Sequence, residues 1–124
     1  MIILVDMDGV ICTEEKTFER ALALPIPGAR EALEQFLRDG HEVIIYSARS
    51  WAELKMTQQW LTDHQIPYSG IHLGKPIADV IIDDRAVAFA AWPDVLRQVH
   101  AKSAYTRAST LHGATGISEP DHER

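Results

Sequence analysis

Short runs of branched apolar residues, each stopping at a polar residue and separated by stretches of helical period, constrain this chain more than any other feature. Ile2-Ile3-Leu4-Val5 stops at Asp6, Val43-Ile44-Ile45-Tyr46 at Ser47, and Asp79-Val80-Ile81-Ile82 at Asp83. Runs like these read as strands buried on both faces, the habit of a parallel sheet. Ile71 to Leu73 reads as a shorter strand. Behind Gly28, the residues Ala29, Ala32, Leu33, Phe36 and Leu37 keep the spacing of a helix face, and Gly40 supplies its stop. A second helical stretch runs from about Trp51 to His64, with Trp51, Leu54 and Leu61 on one stripe. A last helix is expected to begin near Pro93, with Val95, Leu96 and Val99 inward. Strands alternating with helices predict an open α/β sheet, whose ligands gather at the carboxyl ends of the strands.

The length of 124 residues suits one domain, with a core over 1–108. From Ser109 to Arg124 the apolar period is lost, which predicts a flexible C-terminal tail. Eighteen acidic residues against twelve basic ones leave a formal charge of -6, which argues against nucleic acid and anionic membranes as partners. The single cysteine, Cys12, cannot form an internal disulfide, and the N-terminal apolar run is too short for a signal segment or membrane span. The expected location is cytoplasmic. The six histidines show no paired helical spacing, which argues against a zinc site.

The strand ends carry the chemistry. Asp6 and Asp8 follow the first strand, Ser47 and Arg49 the second, and Asp83 and Asp84 the last. Taken singly, an aspartate at a strand end is an ordinary turn residue. Four carboxylates on one rim repel each other, and a divalent cation relieves the repulsion; oxygen-only ligands favour Mg²⁺, whose usual companion is a phosphate. An aspartate there can attack phosphorus directly while a second carboxyl moves the proton, and Asp6-x-Asp8 has the spacing for both roles. Ser47 would contribute a hydroxyl to a phosphoryl oxygen, and a lysine would balance the developing charge.

Asp6-Met7-Asp8-Gly9-Val10, Ser47, Lys75 in Gly74-Lys75-Pro76, and Asp83-Asp84 stand in the order of the four motifs of the haloacid dehalogenase superfamily, which this chain resembles over about its first two-thirds. The resemblance implies a Rossmann-like three-layer sandwich with a central, mostly parallel sheet, Mg²⁺, and phosphoryl transfer through an aspartyl-phosphate. It makes Asp6 the nucleophile, Asp8 the general acid/base, and Ser47 and Lys75 the phosphate ligands. Mg²⁺ would be held by Asp6, the carbonyl of Asp8, and the pair Asp83 and Asp84, with Asp84 the more direct. Gly9 lets the backbone turn beside the phosphate. Arg49 and Arg85 are reserve cations for it. Lys75 and Asp83 are eight residues apart, about 26 Å of straight strand, so Pro76 to Asp79 must turn back if both serve one site.

Tyr46-Ser47-Ala48-Arg49 with Gly74-Lys75-Pro76 and Ile82-Asp83-Asp84-Arg85 is similar to a small subgroup that includes proteins assigned to capsular polysaccharide biosynthesis, and to the phosphatase domain of polynucleotide kinases. Neither Thr13 to Pro25 nor Trp51 to Gly74 is long enough for the cap domain of larger relatives. The resemblance therefore implies a capless, open site, suited to a larger substrate or closed by a second subunit of a homo-oligomer. The expected reaction is hydrolysis of a sugar or glycan-precursor phosphate ester. A polynucleotide end, or transfer to another acceptor, would use the same residues. A phosphoryl-accepting receiver domain has these motifs in the reverse order, and an idle binding module would be expected to have lost Asp8.

Overall fold

The computed structural model describes the backbone of residues 1–113 and the side chains of residues 1–106. Strands β1 (Ile2–Val5), β2 (Glu42–Tyr46) and β3 (Gly70–His72) lie side by side in that order, all parallel. Ile2 stands opposite Glu42 and Val5 opposite Ile45, while Tyr46 stands opposite His72. Because the strands run in step, the residues that follow them, Asp6, Ser47 and Leu73, emerge along one rim.

Helix α1 (Ala29–Arg38) joins β1 to β2 and buries Ala29, Ala32, Leu33 and Phe36, the stripe expected from its period. Helix α2 (Leu54–Asp63) joins β2 to β3 and follows a 3-10 turn at Trp51–Glu53. Ser50 and Glu53 fasten that turn reciprocally: Ser50 Oγ accepts the Ala52 N–H, and Glu53 Oε2 accepts the Ser50 N–H, both at 3.0 Å. Helix α3 (Trp92–Gly113) turns Trp92, Val95 and Val99 to the core. The Trp92 indole meets Phe36 edge-on at 6.3 Å and donates to the Val10 carbonyl at 3.0 Å, so α3 also secures the loop after β1. Met7, Ile11, Cys12, Leu33, Val43, Ile45 and Leu61 are sealed from solvent at the centre. Each large side chain buried this way contributes roughly 1.5–3 kcal/mol.

Two expectations are corrected. Asp79 to Ile82 is not a strand: the segment pairs with none of the three, and Val80, Ile81 and Ile82 are exposed, Ile82 at 97%. Only six residues separate β3 from Asp79. A parallel strand beside β1 would have to cross the sheet and return along its length, a connection of about a dozen residues or more. As a result β1 is an edge strand, and only one of its faces is covered. Val5 is buried and Ile3 packs on the core, whereas Ile2 and Leu4 face solvent, so the run is not buried on both faces.

At the other end, the α3 backbone continues to Gly113, past Ala108; residues 114–124 of the expected tail lie outside the described residues. Among the described residues no helix is long and apolar enough to cross a membrane.

Candidate active site

Asp6 leaves β1 with one oxygen tied locally, its Oδ1 accepting the Met7 N–H at 2.8 Å. The chain then coils tightly: the Met7 carbonyl accepts the N–H groups of Val10, Ile11 and Cys12, and Gly9 donates to the Cys12 carbonyl at 2.8 Å. Gly9 makes the turn at φ +86°, a conformation side chains rarely adopt, with no atom nearer than Glu14 Oε1 to where a Cβ would lie. The turn returns Asp8 toward the loop after β2.

There Asp8 meets Arg49. The guanidinium donates from Nη2 to Oδ1 at 2.7 Å and from Nε to Oδ2 at 3.0 Å, a two-toothed fork. Its Nη1 donates to Thr57 Oγ1 at 2.9 Å, and Nη2 also lies 3.6 Å from Cys12 Sγ. The Arg49 side chain is 0% exposed. Burial works against its charge, but the hydrogen bonds and the charge of Asp8 more than offset that, and its pKa stands above the ordinary value. Arg49 thus faces Asp8 where a phosphate ligand was expected.

Lys75 does reach the rim. Its Nζ lies 3.9 Å from Asp6 Oδ2 and 5.4 Å above the Tyr46 ring. The backbone aims it: the Lys75 N–H donates to the Ser47 carbonyl at 2.9 Å, and the Gly74 N–H to the Arg49 carbonyl at 2.8 Å. Gly74 has φ +79°, and a Cβ there would stand 3.2 Å from Trp51 Nε1, so the indole packs directly on the backbone that presents Lys75. Trp51 is held edge-on to His72 at 5.7 Å. Ser47 is fully buried, and its Oγ accepts the Arg49 N–H at 3.1 Å, which shapes the turn and leaves its O–H as a donor.

Burial raises the pKa of Asp6 above 3.8; Lys75 and the Met7 N–H pull it back, while Asp8 and Glu14 push it further up. Negative charge is therefore under-compensated at Asp6.

Asp83 and Asp84 do not join this group. Asp83 Oδ1 accepts the Arg85 N–H at 2.8 Å, and the exposed Asp84 lies 3.8 Å from Arg85 Nε. Neither appears among the charges acting on Asp6, and among the described residues no three His, Cys, Asp or Glu side chains gather closely enough to hold a metal. With Asp83 and Asp84 apart from Asp6, the carboxylates assembled among the described residues do not fit a magnesium cage. The expected metal pair is absent here for the reason that the fourth strand is absent: Asp83 and Asp84 ride on the segment that stays off the sheet. Arg85 pairs with these two carboxylates.

Sequence reasoning missed Thr57 and Glu14. Thr57 had a signal, a polar residue on the inward stripe between Leu54 and Leu61. Glu14 had none beyond its nearness to Gly9 in the chain.

No protein-family model matches the sequence, and no curated protein matches it either. Solved structures do. The crystal structure of an MCSG target from Vibrio cholerae is 25% identical with a TM-score of 0.62, over 82% of this chain and 98% of its own. The Pnkp1/Rnl/Hen1 complex matches at 22% identity and a TM-score of 0.52, over 67% of this chain and 30% of that one. The D,D-heptose 1,7-bisphosphate phosphatase of B. bronchiseptica, complexed with magnesium and phosphate, is 15% identical over 83% of this chain and 63% of its own, with a TM-score of 0.49, too distant to carry an argument. The chain shares the α/β fold of the first two.

Proposed function

We propose that the protein is a phosphomonoesterase of the haloacid dehalogenase type, working through an aspartyl-phosphate on Asp6. The observation that carries the reading is the Lys75 ammonium 3.9 Å from the Asp6 carboxylate at the carboxyl end of β1, in a chain where those two motifs stand in that family's order. A partly desolvated carboxylate beside a fixed cation is suited to attack an anionic ester, because the cation draws the phosphoryl group in and shields its charge.

In the first step Asp6 Oδ2 bonds to phosphorus, the bond from phosphorus to the alcohol oxygen breaks, and the alcohol leaves with a proton from Asp8. In the second, water attacks phosphorus, Asp8 takes its proton, and Asp6 is released with inorganic phosphate. Lys75 stays beside the transferring group throughout. Asp8 is two residues from Asp6 on a turn that faces the same rim, which suits a proton carrier.

The substrate class proposed is a sugar or glycan-precursor phosphate. Support comes from the acidic balance, which disfavours long polyanions, and from the two intervals that would house a cap, filled by a 3-10 turn at Thr17–Leu22 and by α2 with β3. Mg²⁺ enters this reading on the sequence resemblance alone, and no step above runs through it.

The test is phosphate release from a panel of phosphomonoesters, including sugar phosphates, nucleotides and 3′-phosphorylated oligonucleotides, with and without Mg²⁺. Wild type is expected to turn over, with sugar phosphates ranked first, and Asp6→Asn to lose turnover altogether. Release that survives Asp6→Asn would sink the nucleophile assignment. A stable phosphoryl group on Asp6 without turnover would replace the enzyme by a receiver.

A further inference from the structure

We infer that Arg49 is the positioning residue of Asp8, setting the aim of its carboxyl from the loop after β2, and takes no part in binding phosphate. The kinetic part of the test rests on the phosphomonoesterase reading above; the geometry does not.

Three observations point the same way. The fork takes one lone pair of each Asp8 oxygen, at 2.7 and 3.0 Å, which fixes the carboxyl plane and leaves Oδ2 a lone pair for the proton, whereas a point charge would fix only a distance. The other guanidinium edge is taken by Thr57 Oγ1 at 2.9 Å, and the whole side chain is enclosed, so no donor faces solvent where an anion would arrive. Asp8 itself keeps a narrow opening, its side chain 14% exposed, through which a proton can pass.

The order of support is then physical: α2 holds Thr57, Thr57 holds Arg49, and Arg49 holds Asp8. Ser50 and Glu53 secure the turn from which α2 starts. A carboxyl that must face a departing oxygen in one step and a water in the next gains from such fixing, since misplacement by about 1 Å costs on the order of 100-fold in rate. A buried guanidinium without its carboxylate is strongly unfavourable, so each partner supports the fold only while the other is present.

The experiment is a kinetic cycle over wild type, Arg49→Ala, Asp8→Ala and the double variant, on the best ester of the panel. Arg49→Ala is expected to lower kcat on the order of 100-fold with KM changed less than about twofold. In the Asp8→Ala background the same substitution is expected to cost nothing further. Added guanidinium ion is expected to restore part of kcat to Arg49→Ala and none to the double variant. A raised KM with kcat kept would make Arg49 a phosphate ligand after all, and losses that multiply would show it acting independently of Asp8. Either result overturns the inference.

Should Arg49→Ala fail to fold, Arg49→Lys carries the cycle, since it keeps the charge and loses the fork; about tenfold loss with Asp8 present and none without it is the expected result. If wild type releases phosphate from no ester, the proposed activity falls, and the Asp8 carboxyl-carbon NMR resonance decides this inference. A change on Arg49→Lys that is confined to Asp8 supports it, and an unmoved resonance ends it.

Discussion

Replacing Gly74 by alanine tests how Lys75 is held. Gly74 and Gly40 share a left-handed backbone, φ +79° and +88°, but differ in surroundings: a Cβ at Gly40 meets nothing within 4 Å, while one at Gly74 stands 3.2 and 3.5 Å from Trp51 Nε1 and Cδ1. Both substitutions carry the same conformational term, about 1–2 kcal/mol for an L-residue in this region. Gly40→Ala should cost about that and no more.

At Gly74 the indole must also move. Trp51 is 52% exposed and can swing outward, losing its edge contact with His72, so the added term is that of one aromatic pair, about 0.5–1.5 kcal/mol. Gly74→Ala should therefore cost about 2–3 kcal/mol, or roughly 8–12 °C in Tm for a chain of this size. Urea unfolding followed by circular dichroism measures both variants, with unchanged m-values as the control. In a Trp51→Ala background the Gly74→Ala cost should drop to that of Gly40→Ala, a coupling of about 1 kcal/mol. The kinetic counterpart is a lower kcat for Gly74→Ala, because Lys75 loses its aim, with activity kept in Gly40→Ala. Equal destabilisation by the two alanines, or no coupling to Trp51, would refute the packing of the indole on this loop.

Asp6→Asn is expected to stabilise the fold at neutral pH while abolishing activity. The folded pKa of Asp6 is raised, mainly by burial, so the folded state holds its proton more tightly than the unfolded chain; stability from this group is present at low pH and is lost as pH rises from about 3.8 through the raised value. The Tm advantage of the variant should be near zero at the acid end and grow across that window; an asparagine variant less stable at pH 7 contradicts the account. Cys12 offers an independent check, because burial and then Asp8 push its thiol up to about 12. Iodoacetamide at pH 8 should leave it unmodified in the native protein and alkylate it in urea, and rapid native labelling would show the core around Asp8 to be open.

What the sequence made legible was local. The α1 stripe from Ala29 to Phe36, the strands ending at Asp6 and Ser47, and the Gly28 and Gly40 boundaries follow from period and from glycine, properties of a few adjacent residues. Lys75 beside Asp6 followed from motif order, whereas the turn expected at Pro76 to Asp79 does not bring Asp83 and Asp84 to the same site. Asp79 to Ile82 misled because its composition is strand-like, while its fate depends on whether six residues can carry it across the sheet, a matter of chain length rather than propensity. Arg49 misled for another reason. A side chain near a site is read as facing the ligand, and only three dimensions show that Arg49 turns inward to Asp8.

The loops after β2 and β3 are joined through main-chain atoms, Gly74 to Arg49 and Lys75 to Ser47. Bonds of that kind are indifferent to which side chain each residue carries. Positions 48 and 76 can therefore drift over evolutionary time, altering the shape and charge that an incoming molecule meets, while the ammonium beside Asp6 keeps its place. A scaffold wired this way can change what it accepts without rebuilding where the reaction happens.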